Sequence, residues 1–367
     1  MQNIEVVPQL SGFSSYKTGH SVQEIKEKYG LSQVFKMASN ENPLGVSLLV
    51  KELLCRNADF VFRYPRSGNP DLCEEISCFL GVHASSIVPG NGSDEIIDLL
   101  IRILAVPGKH NICAFKPCFS IYETQSRLAG VDFRQAELGP DLEFDFEKLL
   151  ALTDENTRIV FITNPDNPSG YSVPAEYIVE LAGKIPDRAV LAVDEAYVDF
   201  ADDLDGVSVI NRLDELPNVA VLRTFSKMFG LAGLRLGFGV MHEKLAACLR
   251  RVRLPFSVNL LAEQAGIAAL RDADFYDITR KTVLLGRKYL AKNLHGLGCE
   301  VRESQANFLM FTPPVAAEFV FESLLQSGII IRPLKSYGFR DSLRVSIGNE
   351  RENRKFISEL ARIIDGN

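Results

Sequence analysis

Six short, unbroken apolar runs, each ending in polar or turn-forming residues, limit what this chain can become. They are Asn111–Lys116, Val131–Ala136, Arg158–Thr163, Ala189–Val193, Val219–Arg223 and Leu236–Met241. A strand covered on both faces carries apolar side chains at successive positions, whereas a strand with one wet face alternates. Longer stretches of helical period separate these runs, among them Asp94–Leu104, Cys118–Leu128 and Ala175–Lys184. In the first of these, Ile96, Leu99, Leu100 and Ile103 fall at i, i+3, i+4 and i+7, a single core-facing stripe. Strand and helix in alternation predict an α/β fold with a mostly parallel sheet between helical layers.

Past residue 250 the rhythm changes. Two long amphipathic helices are predicted at Leu260–Leu270 and Asp274–Leu294, then strands at Phe308–Phe311, Gly328–Arg332 and Leu343–Ile347, and a closing helix at Glu350–Ile364. At 367 residues the chain exceeds what one simple core usually organises. The expected division is an N-terminal arm over residues 1–35, a large domain over 36–250 and a smaller α/β domain over 251–367. A formal net charge of −7 gives no support to nucleic-acid binding. No apolar run approaches the roughly 18–20 residues of a membrane span, and MQNIEVVPQLSGF lacks the basic-then-apolar order of a signal peptide. The seven cysteines contain no C-x-x-C pair and the five histidines are scattered, which favours reduced thiols over a metal site. The expectation is a cytoplasmic protein that engages neither nucleic acid nor membrane.

Lys227 lies in the run TFSKMFGLAGLRLG, among Phe225, Met228, Phe229, Leu231, Ala232, Leu234 and Leu236. An ammonium is costly to bury, so a lysine among apolar and small residues invites a chemical reason. Desolvation lowers its pKa and makes the amine nucleophilic, as a Schiff base with a carbonyl cofactor requires. Arg235, eight residues on, offers the planar fork of donors that suits phosphate.

Three consecutive strand predictions end in polar clusters. RIVFIT runs into NPDNPSG, AVLAV into DEAY, and VAVLR into TFSK. Each cluster alone also reads as a turn or a helix cap. In open α/β sheets, however, ligands bind beyond the carboxyl ends of strands, where an amide, an acid and a buried lysine would here converge. Pyridoxal phosphate needs that set. Asp194 would keep its pyridine nitrogen protonated, Asn167 and the Tyr197 hydroxyl would donate to its phenolate oxygen, and Lys227 would take its aldehyde. Its phosphate would sit at the helix start formed by Gly92, Ser93 and Asp94, with Thr224, Ser226 and Arg235 completing the shell. Phe119 is placed to stack on the ring, though a phenylalanine there also suits ordinary core.

With these residues in place, the chain resembles the fold-type I aminotransferases, and within them the histidinol-phosphate aminotransferases. The resemblance rests on SSYKTGHSVQEIKEKYGL, ASNENPLG, RYP, GNGSDE, KPCFSIY, TNPDNPSG, VDEAY, RTFSKMFGLAGLRLG, NFLMF and LRVSIGNE, in that order over nearly the whole length. It implies a mostly parallel seven-stranded sheet in the large domain and a homodimer with shared active sites, Tyr64 reaching the partner's cofactor phosphate. Lys227 would be both base and acid in the proton transfer at the substrate's Cα. Arg344 would bind the carboxylate of glutamate or the phosphate of the other substrate, with Arg332 and Tyr16 as further phosphate contacts. The implied reaction exchanges an amino group between histidinol phosphate and 2-oxoglutarate in histidine biosynthesis. An aromatic aminotransferase and a threonine-phosphate decarboxylase share much of the pattern, although SSYKTG replaces the His-Gly-Gly-type stretch usual in the decarboxylase. A cofactor-sensing module of a transcription regulator would need a preceding basic helix-turn-helix. Two residues depart from the family habit: Phe119 stands where tyrosine is usual, and Ser169 where threonine is.

Overall fold

A computed structural model of the chain describes residues 6–10, 13 and 19–366. Its centre is a seven-stranded sheet of β1 (Ile87–Asn91), β2 (Asn111–Lys116), β3 (Asp132–Glu137), β4 (Thr157–Thr163), β5 (Val190–Asp194), β6 (Val219–Thr224) and β7 (Leu236–Met241), in the order β1-β7-β6-β5-β4-β2-β3. Neighbours from β6 to β3 pair in parallel, while β7 runs antiparallel to both β6 and β1. The six apolar runs become β2 to β7 with ends shifted by no more than a residue. β1 is the strand not anticipated. Its sequence IVPGN contains Pro89 and Gly90, which read as a turn; proline is tolerated because β1 lies at the sheet edge.

The strands divide their side chains between two cores, as period two demands. On one face lie Val160, Ile162, Leu191, Val193, Val219 and Val221. On the other, Ile159, Phe161, Val190, Ala192, Ala220 and Leu222 pack beneath the helix Ser93–Leu104. That helix buries Ile96, Ile97, Leu99, Leu100 and Ile101, leaving Ile103 only half-buried. Its apolar face is therefore wider than the predicted stripe and turned slightly from it.

Two segments pack differently from the expected division. The helix Leu260–Leu270 is enclosed rather than amphipathic, with Ala262, Glu263, Ala265, Gly266 and Ala268 to Leu270 all buried. It packs against the helices Leu48–Asn57 and Pro70–Leu80 and against β7. By its contacts it goes with the larger unit. Conversely, the helix Val22–Tyr29 sets Ile25 against Leu325 and Ile330, and Phe35–Lys36 pairs in parallel with Ile329–Ile330. The helix Val22–Tyr29 and Phe35–Lys36, which follows it, thus lie against the C-terminal unit.

That unit contains a four-stranded sheet of Glu300–Val301, Phe308–Thr312, Arg332–Pro333 and Leu343–Ser346, ordered from Arg332–Pro333 through Leu343–Ser346 and Phe308–Thr312 to Glu300–Val301. The predicted strand Gly328–Arg332 is split between this sheet and the two-residue pairing with Phe35–Lys36. The closing helix Glu350–Asp365 begins with a capping box, Asn349 and Glu352 each accepting from the other's backbone N–H. No helix among the described residues is long and apolar enough to cross a membrane.

Candidate active site

The reversal of β7 builds the site. Because β7 is antiparallel, its first residue stands at the same sheet edge as the last residues of β4, β5 and β6. The link from Thr224 to Leu236 therefore leaves and re-enters one edge, and carries Ser226, Lys227 and Arg235 there. β1 ends at this edge too and passes through Gly92 into the helix Ser93–Leu104. A cavity of about 180 Å³ opens between these elements. Its lining includes Ser93, Asp94, Phe119, Asn167, Asp194, Tyr197, Thr224, Ser226, Lys227 and Arg235, ten of the predicted site residues. Thr163 and Ala196 also line it. A larger cleft of about 790 Å³ near Lys109, Arg127 and Arg134 contains none of them.

Close backbone approach fixes the cavity's helical wall. A Cβ on Gly237 would fall 2.3 Å from the backbone nitrogen of Ser93. At Gly92, φ is +73°, and a Cβ there would meet Nη2 of Arg235 at 2.7 Å. The Gly92 N–H donates to the Arg235 carbonyl at 2.9 Å, tying the helix start to the beginning of β7. Arg235 itself is left-handed, with φ 54°. Its guanidinium donates to Asp94 at 3.3 Å and to Ser226 Oγ at 3.5 Å. The Ser226 N–H donates to Thr224 Oγ1 at 3.1 Å. Burial pushes the Asp94 carboxyl up, and Arg235 and Lys227 partly offset this.

Lys227 is half-buried and donates from Nζ to the Ser39 carbonyl at 3.1 Å. Its pKa is lowered to about 8, first by desolvation and then by the charges of Arg344 and Arg235, against Glu41 and Asp94. Asp194 is buried, and its carboxylate accepts from the Tyr122 hydroxyl at 2.8 Å and the Ala196 N–H at 3.1 Å. Burial raises it to about 6 despite these bonds. Tyr122 also pairs with Thr163 Oγ1 at 2.9 Å and stacks on Phe161 with ring centres 4.3 Å apart. Tyr122 does not line the cavity but holds Asp194 from behind, a contact that sequence reasoning missed because a tyrosine on the inner face of a helix reads as core.

Around the far wall, Tyr197 accepts from Asn40 Nδ2 at 3.1 Å, and burial pushes its hydroxyl up to about 12. Asn167 Oδ1 accepts from Arg344 Nη1. Arg344 also donates to the Ala38 carbonyl at 3.0 Å and lies over Phe308 at 4.9 Å. In the small sheet Arg332 is its direct register partner, so both arginines rise from one face. Tyr64 is not at this cavity. It is 80% exposed and stacks on Phe256 at 4.6 Å. Tyr16 lies outside the described residues.

The family described as aminotransferase class I and II matches residues 32–360. The histidinol-phosphate aminotransferase of Nitratidesulfovibrio vulgaris is 55% identical over 360 residues, 98% of this chain and 96% of that one. The enzyme of the same name from Oleidesulfovibrio alaskensis is 56% identical over 363 residues, covering 98% and 95%. Among solved structures, the histidinol-phosphate aminotransferase of Sinorhizobium meliloti in complex with pyridoxal-5'-phosphate superposes with a TM-score of 0.88 at 25% identity, covering 98% of both chains. Matches of this identity over nearly the whole length settle the family: the chain belongs to the class I and II aminotransferases, among those of the histidinol-phosphate type.

Proposed function

We infer that this chain is a pyridoxal-phosphate-dependent aminotransferase that exchanges an amino group between histidinol phosphate and 2-oxoglutarate, a step of histidine biosynthesis. One observation carries the reading: Lys227 and Asp194, at different strand ends, line one cavity whose other wall is a helix start. The donor set fits the cofactor. The space cleared by Gly92 and Gly237 leaves the first N–H groups of a helix open to a phosphate, beside Ser226 and Arg235. Asp194 suits a protonated ring nitrogen, because a buried carboxyl held at about 6 ionises readily once a cation pairs with it. Asn167 and Tyr197 suit the phenolate oxygen, and Phe119 a ring face. When bound, the conjugated ring takes up the electron pair left as the substrate's Cα–H bond breaks.

Lys227 Nζ is the group that holds and moves the proton. With a pKa near 8, about one amine in ten is already neutral at pH 7, where an ordinary lysine has almost none. Arg344 and Arg332 together offer an anion several coplanar donors, which suits both the carboxylate of glutamate and the phosphate of histidinol phosphate. Tyr16 is proposed as a further contact on that phosphate.

The active unit is proposed to be a homodimer. Phe60, Val61, Phe62, Tyr64 and Leu254 are exposed apolar side chains, and Tyr64, stacked on Phe256 at the surface, would be the residue that reaches a cavity on a second copy. The unpaired state of all seven cysteines suits the reducing cytoplasm.

Purified protein should convert histidinol phosphate at least tenfold faster than phenylalanine at equal concentration, followed by the visible absorption of the cofactor. Equal rates would favour a broad aromatic aminotransferase, and release of carbon dioxide from phosphothreonine would favour the decarboxylase.

A further inference from the structure

The far wall of the cavity is ordered by a residue that does not line it. Asn40 is buried and left-handed, with φ 54°, a conformation asparagine tolerates better than most residues. Every polar group it has is engaged. Its backbone N–H donates to Ser346 Oγ at 2.8 Å, and its carbonyl accepts from Asn307 Nδ2 at 3.0 Å. Its side-chain Oδ1 accepts from Ser346 Oγ at 3.0 Å, and its Nδ2 donates to the Tyr197 hydroxyl at 3.1 Å.

These bonds have a direction. Ser346 is buried and already accepts from the Asn40 N–H, so its own proton needs an acceptor, which Asn40 Oδ1 supplies. That fixes the amide with its NH₂ toward Tyr197. A phenol has one proton to give, and with Asn40 donating to its oxygen that proton must go elsewhere. The side of Tyr197 that remains is the cavity it lines. With Asn40 reversed, Tyr197 would spend its proton on the amide oxygen and present only lone pairs to the cavity.

We propose that Asn40, locked by Ser346, is a positioning residue that turns the Tyr197 hydroxyl into a donor aimed at the cofactor. This rests on the reading in which Tyr197 donates to the cofactor's phenolate oxygen. The charged and titratable groups around Tyr197 are Arg344, Asp194, Tyr337 and Lys227, whose Nζ lies 5.7 Å from the ring centre. Burial keeps the phenol protonated through the working range.

The test is the pH midpoint of the visible absorption change of the cofactor-loaded enzyme, which reports the proton shared between Lys227 and the phenolate oxygen. A donor to that oxygen favours the deprotonated form and lowers the midpoint. Tyr197→Phe should raise it by about one pH unit, the equivalent of one hydrogen bond. Ser346→Ala, which frees the Asn40 amide to turn its oxygen toward Tyr197, should raise it by at least half as much, and its double variant with Tyr197→Phe no further than Tyr197→Phe alone. If Ser346→Ala does not fold, Asn40→Asp takes its place, because its carboxylate can only accept from the phenol, with a rise in the same direction. A midpoint unmoved by the Asn40 or Ser346 change while Tyr197→Phe moves it overturns the proposal, as do shifts that add in full. If Tyr197→Phe moves nothing, the phenolate assignment fails and the proposal with it.

Discussion

At the scale of single residues the site is a set of groups held away from their ordinary ionisation. Lys227→Ala should cut transamination by about a thousandfold or more while leaving circular dichroism and thermal unfolding close to those of the parent. Asp194 shows the cost of such a group. Its folded pKa of about 6 lies above the ordinary 3.8, so the folded chain binds this proton more tightly than the unfolded one. Its contribution to stability is therefore greatest below 3.8 and declines as pH rises through about 6, by roughly 3 kcal/mol. Asp194→Asn should raise the unfolding temperature of the cofactor-free protein near pH 7.5 and weaken cofactor binding at least tenfold, read by calorimetry and by absorption titration. Lys227, Asp194, Asn167 and Arg235 were legible in the sequence because each follows or precedes an apolar run at a strand end. Tyr122 and Asn40 were not. Their partners lie 72 and 157 residues away, and nothing local distinguishes them from a core tyrosine and a loop asparagine.

At the scale of elements the decisive feature is the antiparallel β7. One hairpin-like return delivers Thr224, Ser226, Lys227 and Arg235 to a single edge, and Gly237 lets the helix start settle against it. Gly237→Ala should push Ser93 outward. The expected result is a loss of affinity for pyridoxal phosphate several times larger than the loss for pyridoxal, which has no phosphate to place. Equal losses would mean that the change acts on the sheet rather than on the helix start. The apolar runs made β2 to β7 readable, but periodicity carries no information about strand direction, so the reversal could not be read from it. β1 was hidden by its proline and glycine, and the helix Leu260–Leu270 was misread because alanine and glycine look neutral on a helical wheel yet permit close packing on every side.

At the scale of the whole molecule, residues 38–42 lie where the two units meet. Arg344 and Ser346 reach them from the small sheet, while Lys227 and Tyr197 reach them from the large one. We place the working boundary between units near residue 271 on the packing of the preceding helix. The proposed dimer predicts sedimentation at twice 40.7 kDa. Mixing inactive Lys227→Ala protein with Tyr64→Ala protein should restore activity beyond the sum of the two, because one site of each mixed pair would be intact; simple addition would argue against shared sites. Arg344 has a wider effect as well. Its positive charge is one reason the Lys227 amine is so weakly basic, second only to desolvation. A carboxylate settling on Arg344 would cancel much of that influence and return the amine toward its ordinary proton affinity. The enzyme's base would then strengthen on the arrival of the molecule it must deprotonate, and stay weak while it waits.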